Sequence, residues 1–284
     1  MKERKKYGSF DERAMTAFEP EAKVGLLATV NPRGLPHLTL ITAMQAKTPT
    51  EMIWGQFSEG MSKKHVRENP RTGFLIMTLD RSMWRGAAVW TRAVKKGEDY
   101  DMFNMKPMFR YNAYFGIHTV HYMDLHHTYG REGLPLGSII LASLMTAAAK
   151  SGVKRKGNTT VLNSWAHRLF DRLDSLKFLA YVGDDGFPVI VPLLQCQASD
   201  SGRLAFSTCA YTDELRLIPP GKDVAVFGLT MQMEDVLTRG KFLGYRRSRG
   251  ITLGTVDIEW VYNSMPPTPG QVYPAKPLEA VVDF

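Results

Sequence analysis

Cysteine is scarce in this chain: Cys196 and Cys209 are the only two among 284 residues. Two thiols cannot build a disulfide framework, so the fold must close on its apolar core, and buried free thiols in a cytoplasmic protein are the plain expectation. A bilayer span takes ~20 apolar residues. The most apolar stretch, Leu136–Ala149, is shorter than that and rich in Ala and Ser. The opening MKERKKYGSF is polar and basic with no apolar run behind it, so no secretory signal is expected. Phosphate-loop, G-x-G-x-x-G, Ser-His-Asp and paired-carboxylate patterns are lacking too, which removes the nucleotide-binding and hydrolytic motifs that sequence shows most readily.

Acidic residues are outnumbered, 28 to 36, giving a net charge of +8. The basic residues fall in short scattered clusters, Lys2–Lys6, Lys154–Lys156 and Arg246–Arg249. None is interleaved with aromatics as in a nucleic-acid module, so solvated surface charge is the simple reading. A small anionic ligand such as a phosphate ester also suits this balance. No nucleic acid and no membrane are expected as partners.

What is present is a repeat. LLATVNPRGLP at 26–36 and FLAYVGDDGFP at 178–188 share A-x-V-x-x-x-G-x-P at a constant offset: Ala28, Val30, Gly34 and Pro36, then Ala180, Val182, Gly186 and Pro188. Internal repetition decides the fold before any single motif does. Each half continues with a second strand, a short apolar strand (Met52–Phe57; Leu204–Thr208), a polar helical segment, and another strand (Gly73–Met77; Asp223–Gly228). Val89–Ala93 then aligns with Val236–Gly240. The expected architecture is α+β, mainly β, with two tandem copies of one β-rich domain joined by helices. Residues 1–150 would form the first domain, with a phosphate-grip loop and an aromatic, His-rich segment. Residues 151–284 would hold a linker helix, a second, degenerate copy of the domain and a Pro-rich tail.

Within the first half, Asp11 can cap a helix over Asp11–Phe18, and His37–Ala46 reads as one strand. Met61–Glu68 is a helix stopped by Asn69-Pro70. Residues 98–133 lack clean periodicity and read as loop-dominated, with a strand at Gly116–Met123. Leu136–Ala149 and Leu162–Leu176 carry helical spacing.

Most of the chemistry concentrates in Gly55–Lys64, GQFSEGMSKK, where a strand ends in a polar turn and a helix begins with a serine and two lysines. A helix N-terminus presents free N–H groups and partial positive charge, and Ser62, Lys63 and Lys64 add a hydroxyl and full charges. That combination suits a dianionic phosphate; a plain N-cap serine beside surface lysines is the bland alternative. His118, His121, His126 and His127 cluster around Asp124, but no second motif supports a metal. The neighbouring aromatics (Phe109, Tyr111, Tyr114, Phe115, Tyr122) suit core packing or a pocket wall.

A-T-V-x-x-x-G-x-P, a second strand, then a strand running into G-x-S-K-K and a helix ending in N-P-R resembles the pyridoxamine 5′-phosphate oxidase-like family of FMN-binding split barrels. The resemblance covers most of 22–95 and, more faintly, 176–262. It implies two tandem split β-barrel domains, the second degenerate, and FMN as cofactor, with Ser62, Lys63 and Lys64 on its phosphate. Leu40, Ile41 and Thr42 would approach the ring, Gln56 and Phe57 would flank the ribityl chain, and Trp90 is a stacking candidate. The second half has TCAYTDELRLIPPGK there, with Asp213 and Glu214 where cations are wanted, so its own phosphate grip is expected to be lost. The resemblance implies an FMN-dependent oxidoreductase acting on a small substrate, with a nicotinamide as a compatible donor. A homodimer or an internal pseudo-dimer of the two halves would pair the barrels. A flavin electron carrier or sensor, and a reductase of the same fold using deazaflavin or serving haem or quinone, are the alternatives.

Overall fold

A computed structural model describes residues 4–110, 116–155, 160–263 and 270–275. Tyr111, Tyr114, Phe115, part of the 151–160 linker and most of the Pro-rich tail lie outside these residues. The chain divides into two compact units, Met1–Pro135 with Ala180–Ile190, and Leu136–Leu179 with Val191–Phe284.

The first half opens with α1 (Glu12–Phe18), whose N-cap Asp11 accepts the Ala14 N–H at 2.8 Å. Strands β1 (Lys23–Val30), β2 (Pro36–Leu40), β3 (Met44–Thr48) and β4 (Glu51–Gln56) lead to α2 (Met61–Glu68). Then come β5 (Arg71–Thr78), β6 (Ser82–Val94), α3 (Glu98–Asn104) and β7 (Thr119–Gly133). All strands form one antiparallel sheet in the order β2-β1-β5-β6-β7-β4-β3.

The predicted single strand His37–Ala46 is two strands at opposite edges of this sheet, with only Ile41–Ala43 between them. Three residues can link two edges only if the sheet curls until its edges meet, which makes it a barrel. Backbone bonds fix the crossing: Ile41 N–H donates to Gly25 O at 2.7 Å, and Gly55 N–H donates to Ala43 O at 2.8 Å. Phe18, Leu27, Ile41, Met44, Trp54, Phe74 and Trp84 fill the interior between α1 and the sheet.

The second half begins with α4 (Leu136–Ala149), a 3-10 turn (Lys150–Val153) and α5 (Ser164–Asp171). It continues through β8 (Leu176–Val182), β9 (Pro188–Pro192), β10 (Gln197–Asp200), β11 (Arg203–Ser207), α6 (Thr212–Leu215), β12 (Asp223–Leu229), β13 (Asp235–Ser248), β14 (Ile251–Asn263) and β15 (Gly270–Tyr273). Its sheet order is β10-β11-β14-β13-β12-β8-β9, with β15 added beside β14. Taking β8 to β14 as copies of β1 to β7, this is the same order read from the other end.

The crossing repeats as well: Leu193 N–H donates to Lys177 O at 2.8 Å, and both positions are 152 residues beyond Ile41 and Gly25 (193 − 41; 177 − 25). So do the hairpin turns, where Gly34 and Gly186 adopt φ of 76° and 80°. Only glycine takes that conformation without strain, so the turn is legible in both copies. The two halves are tandem copies of one split barrel.

Four readings are corrected. Val89 faces Arg71, far from the β5–β6 turn, whereas Val236 faces Gly228 beside the β12–β13 turn, so the two are not equivalent. The equivalent of Val89 is Lys241, which faces Asp223 as Val89 faces Arg71, again 152 residues on, and the register shift at Ala87/Ala88 recurs at Arg239/Gly240. Both strands also hold a glycine pressed against the neighbouring strand: a Cβ at Gly86 would lie 2.0 Å from His127 O, and one at Gly240 1.7 Å from Asp257 O. Residues 98–133 are not loop-dominated: they form α3 and the 15-residue β7, whose first five residues are all buried, which erases any alternation. The helix expected over Leu162–Leu176 is confined to α5, because Asn163 caps it and Arg172 is already extended. Finally, Cys196 is buried but Cys209 is exposed.

Candidate functional site

Strand β4 delivers Gln56 to its C-terminal end, and the exposed turn Phe57–Glu59 leads to Gly60, the N-cap of α2. No side chain caps this helix, so its first-turn N–H groups have no side-chain acceptor. The helix period puts Ser62, Lys63, His65 and Val66 on its buried side and leaves Lys64, Arg67 and Glu68 exposed.

Ser62 is therefore not the cap; its hydroxyl sits 3.0 Å from that of Thr39 on β2, both buried. His65 Nδ1 lies 3.1 Å from Thr29 Oγ1, and its ring meets His37 edge-on at 5.2 Å. These contacts fasten the buried side of α2 to β1 and β2.

Lys63 is the unusual residue. It is 7% exposed, yet among the described residues its ammonium has no hydrogen-bond partner. A Cβ placed on Gly60 would come 3.2 Å from Lys63 Nζ, so the side chain folds back over the N-terminus of its own helix. Burial lowers its pKa from 10.5 to about 8, against a smaller upward pull from the Glu59 carboxylate. Lys64, the other half of the basic pair, is exposed.

A hydrogen-bonded chain that the sequence did not reveal runs beside this turn. Trp90 Nε1 donates to His121 Nδ1 at 3.1 Å, and His121 Nε2 lies 2.8 Å from Gln56 Oε1. Gln56 Nε2 then donates to Glu59 Oε1 at 3.1 Å. An indole N–H can only donate, so Nδ1 is the acceptor and the proton sits on Nε2. Burial drives the His121 pKa from 6.5 to about 3, with Arg67 and Lys63 adding repulsion, so the ring stays neutral in that tautomer. Trp54, directly opposite in the β4–β7 register, stacks on His121 at 3.8 Å and 1°. That cross-strand pairing is a long-range contact, and only the His-rich segment hinted at it.

The predicted site residues thus divide. Gln56, Ser62, Lys63 and Trp90 gather around α2 and its relay. Ile41 does not join them: its side chain belongs to the core and its N–H is spent on Gly25. Leu40 and Thr42 flank it, half-buried, and Phe57 is 46% exposed. His118 Nδ1 lies 2.9 Å from Thr119 Oγ1, and His126 and His127 meet edge-on at 5.3 Å. Among the described residues no three metal-binding side chains converge.

The counterpart of α2 is α6, a single turn with Asp213 and Glu214 in it and Tyr211 in the left-handed region before it. Two cavities lie away from both helices. One of about 350 Å³ is bordered by Tyr7, Asp11, Trp84 and Arg131 in the first unit. The other, of about 410 Å³, is bordered by Trp165, Arg172 and Glu234 in the second.

No family model matches the sequence, and no curated protein matches it. Solved structures do resemble parts of it. An FMN-binding protein from Syntrophomonas wolfei is 13% identical, with 41% of this chain and 82% of that one covered, at a TM-score of 0.36. A candidate pyridoxamine 5′-phosphate oxidase from Lactobacillus delbrueckii is 14% identical, with 44% and 98% covered, at 0.35. An F420 reductase is 16% identical, with 40% and 94% covered, at 0.30. At these identities and scores the likeness assigns neither cofactor nor activity.

Proposed function

We propose that the first barrel binds FMN by its phosphate at the N-terminus of α2 and that the protein is a flavin oxidoreductase acting on a small substrate. The observation that carries this reading is Lys63, a buried side chain whose ammonium, without a hydrogen-bond partner among the described residues, folds over an uncapped helix N-terminus. Burying a charge without a partner is costly, and a phosphate monoester would supply both the counter-charge and acceptors for the first-turn N–H groups. The residues present therefore fit the group. Glu59 is the one contrary feature, since its carboxylate lies on the same turn, held by Gln56.

A bound flavin supplies the hydride and electron chemistry. The chain's own part is to hold, orient and shield. Lys63 and the α2 amides bind the phosphate. Trp54 and Trp90 hold His121 neutral, and His121 fixes the carboxamide of Gln56, whose place at the end of β4 suits the ribityl chain. Leu40 and Thr42, half-buried at the barrel's crossing, suit the ring. With Asp213 and Glu214 on its single helical turn, the second barrel is read as having no phosphate grip, so one flavin per chain is expected.

An absorption spectrum of the purified protein tests this, taken before and after adding FMN and then NADH or NADPH. Bound yellow chromophore that bleaches with a nicotinamide is the expected result. Retention of F420 in place of FMN would change the cofactor, bleaching only by dithionite would favour a carrier, and no flavin binding would remove the proposal.

A further inference from the structure

Helix α4 in the second unit is apolar on every side: LGSIILASLMTAAA contains no charged residue. A helix of that kind is ordinarily buried all round or in contact with lipid. Here one side alone is used. Ile139, Ala142, Ser143, Thr146 and Ala149 are buried, and the Ser207 N–H donates to Thr146 Oγ1 at 2.8 Å while Gln197 Nε2 donates to Ser143 O at 2.9 Å. These bonds tie the helix lengthwise to the β10–β11 hairpin, so it lies on the barrel surface. Its outer side presents Leu136, Ile140, Leu141 and Leu144 at 38%, 60%, 55% and 59% exposure. The stretch Leu136–Val153 has a mean hydropathy of 1.4, yet only 33% of it is buried. Soluble surfaces seldom leave so continuous an apolar stripe uncovered without a use for it.

The tip of the β13–β14 hairpin is fastened to the end of the same helix. Ser248 Oγ donates to Ala149 O at 2.7 Å, and Arg249 Nη1 donates to Ala148 O at 2.9 Å. This brings exposed Arg246, Arg247 and Arg249 to the C-terminal end of the helix, a turn beyond Leu144, together with exposed Lys154 and Arg155 just past it. An apolar helical face with clustered cations at one end matches the two attractions of an anionic bilayer surface, apolar burial at the acyl boundary and charge at the headgroups. A second copy of the chain matches less well: a two-fold contact through this face would present the same cations twice, and α4 offers no acidic side chain to meet them.

We propose that the α4 face and the arginine-rich β13–β14 tip form a docking surface for anionic membrane lipid, on which the protein sits peripherally. This proposal is independent of the flavin reading. The test is flotation of the full chain with vesicles of phosphatidylcholine alone, and of phosphatidylcholine and phosphatidylglycerol in equal parts. Binding is expected to the anionic vesicles only, and to weaken at about 1 M salt, where charges are screened beyond ~3 Å. Ile140→Glu with Leu144→Glu should abolish it. Arg246→Glu with Arg247→Glu should weaken it about tenfold or more. All four side chains are exposed, so the fold should survive, as circular dichroism would check. Leu144→Trp, whose emission should shift to the blue on anionic vesicles, gives a second readout that needs no charge on the face. Equal binding to both vesicle types, no binding, or binding unchanged in the charge variants would overturn the proposal. So would a lipid-free dimer in sedimentation that Ile140→Glu with Leu144→Glu converts to monomer, since the stripe would then be a self-contact.

Discussion

Replacing Lys63 with methionine should make the ligand-free protein more stable. The side chain keeps its length and apolar stem but loses a charge that burial penalises. A fall in pKa from 10.5 to about 8 corresponds to a penalty of about 3 kcal/mol near pH 7, at about 1.36 kcal/mol per pKa unit. Because the folded pKa lies below the unfolded one, the unfolded chain binds more protons between the two values. Stability of the wild type therefore rises as pH increases from about 8 to 10.5 and is flat on either side of that window. Lys23 and Lys177 are also lowered to about 8 by burial, so they contribute a background rise over the same window. Lys177 differs from Lys63 in having its ammonium bonded to the Arg172 carbonyl. The assay is urea unfolding of wild type and Lys63→Met at neutral pH and near pH 10. The variant should be more stable by about 2–3 kcal/mol at neutral pH, and the gap should shrink to about 1 kcal/mol near pH 10. A variant less stable than wild type at neutral pH, or a gap independent of pH, would refute the idea that Lys63 is a buried charge awaiting an anion.

Three further outcomes are expected. His121, lowered from 6.5 to about 3, keeps its stabilising neutral form down to low pH, so stability should be full above pH 6.5 and fall as pH drops toward 3; the loss from this residue is about 2 kcal/mol between pH 7 and pH 5, and ring NMR at pH 5 should still show a neutral Nε2–H tautomer. Glu59→Gln keeps an acceptor for Gln56 and removes a carboxylate near Lys63, so FMN should bind several-fold tighter by fluorescence titration. Gly240→Ala would put a Cβ 1.7 Å from the Asp257 carbonyl, costing about 4 kcal/mol or more in the unfolding free energy.

The sequence showed what local chemistry dictates. The two hairpins were legible because a left-handed turn demands glycine and the proline after it starts the next strand, and these recur 152 residues apart. The cap at Asp11 and the helix after Gly60 were visible for similar reasons. The split of His37–Ala46 was not, because the break at Ile41 serves closure of the barrel, a contact with Gly25 on another strand. The alignment of Val89 with Val236 followed side-chain similarity, whereas the pairing register keeps the 152-residue offset and puts the dissimilar Lys241 in the place of Val89. In the candidate site, the choice between the two lysines could have been read from helical spacing: Lys63 lies three residues before Val66 on the inner stripe, and Lys64 lies off it. The relay from Trp90 to Glu59 could not, since His121 reaches Gln56 across 65 residues of sequence.

The most direct measurement is an FMN titration, followed by flavin fluorescence, of the wild type, Lys63→Met and Lys64→Met. The account predicts one flavin per chain, a loss of roughly tenfold to a hundredfold in affinity for Lys63→Met from one charge-assisted contact, and little change for Lys64→Met. Equal affinity in wild type and Lys63→Met, with both fully folded, would contradict the assignment of the phosphate to the N-terminus of α2.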